Sequence, residues 1–121
     1  MKPILLLLVL LLIAGCAHKP LHEKDYQRWW CEKHAGELEY RLPDKTRVDC
    51  LTKEYAVEVE YAPKWAESIG QALYYAQSTG RKPAVLVIVR DKDDERFLKR
   101  LRVVAKEQGI KVWTIRPKDL E

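Results

Sequence analysis

The chain lacks the glycine-rich loop that cradles a phosphate and the spaced glycines of a dinucleotide fingerprint. It also lacks a serine or cysteine set beside a histidine and an acid, so P-loop, nicotinamide and triad chemistry have no motif here. Cysteine is scarce, with 3 in 121 residues, too few for a disulfide framework. Cys31-x-x-His34 has the spacing of half a zinc site, but two further ligands are needed and neither Cys50 nor His22 convincingly supplies them. The histidines read as structural or exposed. The leading apolar run, Ile4 to Ile13, covers ten residues, short of what a helix needs to span a bilayer. A large excess of one charge sign is missing as well. Lys and Arg number 22 against 18 Asp and Glu, and the resulting +4 fits an anionic partner without requiring one. There is no internal repeat or low-complexity tract.

What is present begins with Met1-Lys2, the apolar run and Ala14-Gly15-Cys16, the layout of a signal peptide with small residues before the cut. Ile13-Ala14-Gly15-Cys16 resembles a bacterial lipobox. That resemblance implies that residues 1–15 are removed and that Cys16 is lipidated and becomes the first mature residue. Acyl chains, at about 0.8 kcal/mol per buried CH2, hold a protein on a bilayer without a spanning helix. By the same resemblance, Ala17 in place of an aspartate points to the outer membrane, with the folded part facing the periplasm. Residues 16–22 are then the lipidated cysteine and a polar tether, and residues 23–121 the domain. The 106 residues left after position 15 suffice for one modest core and not for two, and without Lys2 the net charge is +3. In an oxidising compartment Cys31 and Cys50 can join as a disulfide or remain as two buried thiols; both stay open at this point.

Thr46 to Leu51 and Tyr55 to Tyr61 read as the strands of a hairpin. Side chains two apart share a face, so Glu58 and Glu60 point one way while Val57, Val59 and Tyr61 point into the core. A turn at Lys53-Glu54 sets Asp49 opposite Glu58, Val48 opposite Val59, Cys50 opposite Val57 and Arg47 opposite Glu60. Directly opposed Cβ atoms lie about 4.5–5.5 Å apart, so bare carboxylates there repel and suit a hard divalent cation such as Mg2+ or Mn2+. The plainer alternative is an amphipathic hairpin with a solvated acidic face and an Arg47–Glu60 ion pair.

The remaining periodicities give the architecture. Glu23 to Ala35 is a helix carrying Tyr26, Trp29 and Trp30 and ended by Gly36, and Glu37 to Leu42 is a first strand followed by a Pro43-Asp44-Lys45 turn. Pro63 to Thr79 is a helix stopped by Gly80, with an apolar stripe of Trp65, Ile69, Ala72, Leu73 and Ala76. Lys64, Ser68, Gln71 and Tyr75 form a second stripe that can line the opening above the acidic strands. Pro83 to Val89 is a continuous apolar run, as in a central strand buried on both faces, which demands helices on both sides. Asp93 to Gln108 is a last helix and Ile110 to Ile115 a closing strand. The order αβββαβαβ specifies an α/β fold: one small domain with a mixed sheet flanked by helices, antiparallel first and parallel after. The bases Arg96, Lys99, Arg100, Arg102 and Lys106 alternate with acids and read as a solvated face. The tryptophans read as core.

At these residues the chain resembles the PD-(D/E)XK, or restriction-endonuclease-like, phosphodiesterases. Asp49, eight intervening residues and Glu58-Val59-Glu60 stand where that superfamily places an aspartate and an acidic-x-lysine element. Gln71-Ala-Leu-Tyr-Tyr75 resembles the Gln-x-x-x-Tyr element of its RecB-type members. The likeness covers about Cys31 to Ile115. It implies a restriction-endonuclease-like core and Mg2+- or Mn2+-dependent cleavage of nucleic acid, the metal held by Asp49, Glu58 and the Val59 carbonyl. Gln71 and Tyr75 would orient substrate or the acids. The lysine position holds Glu60, so Glu60 is expected as an extra ligand or base and Lys64 as the substitute cation. Glu37 or Glu32 would supply the acid that many relatives carry near the first helix. The second expectation, favoured by Glu60 in that position, is a non-catalytic descendant of the fold serving as an envelope interaction module.

Overall fold

The computed structural model describes residues 19–121, so the leader and Cys16 lie outside the described residues. The chain runs through α1 (Glu23–Lys33), β1 (Glu37–Arg41), β2 (Arg47–Leu51), β3 (Tyr55–Tyr61), a 3-10 turn at Ala62–Lys64 and α2 (Trp65–Thr79). It continues through β4 (Lys82–Ile88), a 3-10 turn at Lys92–Asp94, α3 (Glu95–Gln108), β5 (Lys111–Ile115) and a 3-10 turn at Pro117–Leu120. This is the expected αβββαβαβ order. The five strands lie in sequence order in one sheet, β1-β2-β3 antiparallel and β3-β4-β5 parallel.

β4 explains the layering. Its residues from Ala84 onward are buried on both sides, because a strand with apolar side chains on both faces stabilises the fold only when both are covered. On one face Ala84, Leu86 and Ile88 join Val57, Val59 and Ile115 beneath Tyr26, Trp30 and Cys31 of α1. On the other, Val85 and Val87 meet Ala72 of α2 and Leu98, Leu101 and Ala105 of α3. Two successive parallel crossovers in one direction place α2 and α3 on the same face, leaving α1 alone on the opposite one.

The helix ends follow backbone rules with one exception. Gly80 and Gly109 stop α2 and α3 in the left-handed region, at φ 68° and 65°. At the end of α1 the left-handed residue is Ala35, at φ 50°, and not the glycine beside it. Gly36 is required for room. Cys31 and Cys50 form a disulfide with their Cα atoms 5.7 Å apart, tying α1 to β2. A Cβ on Gly36 would overlap the Cys50 Sγ and come within 2.7 Å of the Cys31 Sγ. Gly36→Ala is therefore expected to displace the disulfide and cost about 1–3 kcal/mol, the range for overpacking a close-packed site. A urea titration reads this, and an unchanged midpoint would show that the backbone simply moves aside.

Candidate active site

The hairpin turn sets the expected register, Cys50 opposite Val57 and Leu51 opposite Ala56, and there the pairing of β2 with β3 stops. Asp49 does not continue the ladder against Glu58. The strands fork, and Asp49 folds its carboxylate into the gap, where Oδ2 accepts the Val59 N–H at 2.7 Å. Two features accompany the opening. Glu39 has no ladder partner on β2, although Leu38 and Tyr40 on either side of it pair with Cys50 and Val48, and it sits at φ 53°, a left-handed conformation that costs a non-glycine residue energy. Gln27, buried on α1, donates from Nε2 to both Glu39 Oε1 and the Asp49 carbonyl, each at 3.0 Å. Asp49 is thus held by its carbonyl to α1 and by its carboxylate to β3. Since the N–H and C=O of a strand residue point to the same side, the Val59 carbonyl also faces the fork. Arg47, carried away with β2, pairs with Glu39 at 3.7 Å rather than with Glu60, correcting the expected cross-strand pair.

Glu58 and Glu60 lie on the α2 face of β3 and are buried, at 3% and 8% exposure. α2 brings Gln71 and Tyr75 onto Glu58. In the amide orientation that satisfies its neighbours, Gln71 Nε2 donates to Glu58 Oε1 at 3.0 Å and Oε2 at 3.2 Å, with the Tyr75 hydroxyl also 3.2 Å away. Asp49 and Glu58 hydrogen-bond to one another. Burial first, and then the Asp49 charge, raises Glu58 to about 10. Burial likewise raises Asp49, to about 6, against the lowering by its bonds to Val59 and Glu58. The pair therefore keeps one proton at neutral pH. Burial and the Glu58 charge push Tyr75 up to about 12, so its hydroxyl stays protonated.

Glu60 turns the other way. Its Oε1 accepts the Tyr61 N–H at 2.9 Å, and its carboxyl hydrogen-bonds to Glu23, the first residue of α1. Glu23 is raised to about 7 by burial, then by the charges of Glu60 and Asp49, and is lowered by Lys64. Lys64, exposed at the end of the 3-10 turn before α2, thus brings its charge to this edge of the site. Of the acids on and just after α1, Glu23 is the one brought to Glu60, whereas the expectation was Glu37 or Glu32. Glu37 is exposed at the start of β1 opposite Leu51, and Glu32 is exposed in the last turn of α1. The available signal was that Glu23 and Gln27, four apart, share one stripe of α1. Ser68 leaves the lining stripe: it is fully buried and its hydroxyl donates to the Trp65 carbonyl at 2.6 Å.

Among the described residues no group of three or more His, Cys, Asp or Glu side chains is placed to hold a metal ion. The donor set at the fork is smaller: the carboxyls of Asp49 and Glu58 with the Val59 carbonyl. All are hard oxygen donors, the chemistry that fits Mg2+ or Mn2+. The aromatic cleft between Trp30, His34, Tyr55 and Trp113 has its only β3 residue, Tyr55, at the strand end remote from Glu60. On α3, Glu95 takes Arg116 at 2.7 Å, and Arg96 lies over the Phe97 ring. No family model, no curated protein and no solved structure matches this chain.

Proposed function

We propose that the chain is a lipid-anchored protein of the bacterial envelope whose domain is a divalent-metal-dependent phosphodiesterase of the PD-(D/E)XK type, acting on nucleic acid. One observation carries this reading: the residues of its two motifs touch. Gln71 of the Gln-x-x-x-Tyr helix bonds the carboxyl of Glu58 while Asp49, bonded to the same carboxyl, is fixed by the Val59 N–H. A merely solvated hairpin has no use for a ladder broken at that level. The element order agrees with a restriction-endonuclease-like core, and the Cys31–Cys50 disulfide agrees with an oxidising compartment outside the cytoplasm.

Mg2+ or Mn2+ held by Asp49, Glu58 and the Val59 carbonyl would supply Lewis-acid activation of a phosphoryl oxygen and of water. The chain's own groups do the rest. Gln71 fixes the plane of the Glu58 carboxyl, and the Tyr75 hydroxyl, neutral at working pH, completes that contact. Glu23, raised to about 7 by burial and the charges of Glu60 and Asp49, exchanges a proton near neutrality, the condition for a general base that takes a proton from water and returns it to a leaving oxygen. Lys64 sets positive charge at the mouth, where a phosphate would approach.

Glu60 specifically favours a second reading, a non-catalytic envelope interaction module. Its carboxyl faces another acid where the family has a lysine, and Lys64 is exposed. Incubating labelled single- and double-stranded DNA and RNA with Mn2+ separates the two. Cleavage above that of the Asp49→Asn, Glu58→Gln double variant supports the phosphodiesterase, and equal traces leave the interaction module.

A further inference from the structure

We propose that the outer face of α1, together with residues 19–21 and the Pro117–Leu120 turn, docks on the phospholipid bilayer to which Cys16 is anchored; this rests on the anchor reading above. Pro20, Leu21, Trp29, Pro117 and Leu120 line two adjoining grooves that share Lys19 to Leu21 and Leu120. Leu21 is 38% exposed, and Trp29 is only half-buried, with the Lys33 Nζ 4.0 Å above its ring. A tryptophan ring among aliphatic groups, with a lysine ammonium on its face, is the side-chain chemistry of the headgroup layer.

The length of chain before the described residues selects the occupant. Only Ala17 and His18 stand between Cys16 and Lys19, so three Cα steps of 3.80 Å put Lys19 within about 11 Å of the anchored residue. Lys19 itself lines both grooves. The tether therefore keeps both grooves within reach of the lipid surface. Charge takes little part: Lys19 and Arg28 are balanced on the same grooves by Asp25, Glu32 and Glu121. Apolar insertion therefore dominates, and contact should survive high salt and not require anionic lipid.

The consequence for the site is orientation. At 3.6 residues per turn, Arg28, Trp29 and Glu32 lie on the side of α1 opposite to Glu23 and Gln27. With the outer face on the bilayer, α1 stands between lipid and sheet, and the fork opens toward the aqueous compartment, where a soluble polymer can reach it.

The test uses the acylated protein, purified from membranes and reconstituted into vesicles containing brominated phospholipid, with tryptophan fluorescence as the readout. Quenching is expected in the wild type at low and high salt. It should be mostly lost in Trp29→Phe and weakened in Leu21→Asp, whose circular dichroism checks that the domain is folded. Acylated protein that is unquenched, or quenched equally in Trp29→Phe, overturns the docking face and leaves the anchor standing. The same holds if the grooves prove to be covered by a second copy, seen as a dimer that Leu21→Asp dissociates. Mass spectrometry showing Cys16 without acyl chains overturns anchor and docking together.

Discussion

Glu58→Gln is expected to abolish Mn2+ binding and, in the same protein, to raise the melting temperature of the metal-free domain at pH 8. The substituted amide keeps the shape of the protonated acid. Its nitrogen donates to Asp49 and its oxygen accepts from Gln71, so both contacts survive, while the cost of protonating a carboxyl that is ionised in the unfolded chain at pH 8 is gone. Avoiding that proton uptake on folding is worth on the order of 2 kcal/mol. For a domain of about 100 residues that shifts the melting temperature by roughly 10 °C.

The pH dependence has a definite sign. Asp49, Glu58 and Glu23 all titrate higher in the folded state than carboxyls do in an unfolded chain, so between those values the folded state binds more protons. Their contribution to stability is complete below about pH 4, where both states are protonated. It declines as pH rises through about 6 and 7, the values of Asp49 and Glu23, and beyond toward that of Glu58. Metal-free wild type should lose stability from pH 5 to 9, and Glu58→Gln should lose less. A cation entering the fork must displace the proton of the pair, so calorimetry in buffers of different ionisation enthalpy should register release of about one proton at neutral pH. Unaltered Mn2+ affinity in Glu58→Gln, or a lower melting temperature at pH 8, would contradict this account of the fork.

Removal of the Cys31–Cys50 bond is the second large effect. A cross-link spanning 19 residues restrains the unfolded chain by about 3 kcal/mol, so the Cys31→Ala, Cys50→Ala variant should melt roughly 15 °C lower. Its second consequence is local. Cys50 follows Asp49 directly, and Cys31 lies one helical turn beyond Gln27, whose amide holds the Asp49 carbonyl. Loosening α1 from β2 should therefore weaken Mn2+ binding as well, at temperatures where the variant is still fully folded. A variant that melts lower but binds Mn2+ as tightly as the wild type would mean that the fork stands without help from α1.

The elements were legible in the sequence because each is written in a local period. The valine run of β4 demanded cover on both faces and has it, the glycines after α2 and α3 stop them, and the Lys53-Glu54 turn sets the pairing of Cys50 with Val57. That pairing and the strand period also brought Glu58 to the Gln71 face. The fork was not legible, because its contacts join residues far apart. Gln27 reaches a carbonyl 22 positions away, and Glu39 takes a backbone conformation that its own side chain does not favour. Extrapolating the ladder placed Arg47 on Glu60, and only the divergence of β2 sends it to Glu39. Glu23 escaped notice because an acid in the first turn of a helix already has a sufficient local reason to be there. Gly36 misled for a similar reason: a glycine after a helix reads as its stop, whereas this one leaves space for two sulfur atoms.

The Gln27 bridge leaves Asp49, Val48 and Arg47 unzipped from β3, although the hairpin register offers each of them a partner. Such a sheet can go wrong without melting. A chain with leucine at position 27 has nothing to tether the Asp49 carbonyl, and its cheapest repair is to close the remaining rungs, burying the opening under ordinary backbone bonds. It would look healthy by spectroscopy and heat resistance, and be deaf to every ion offered to it.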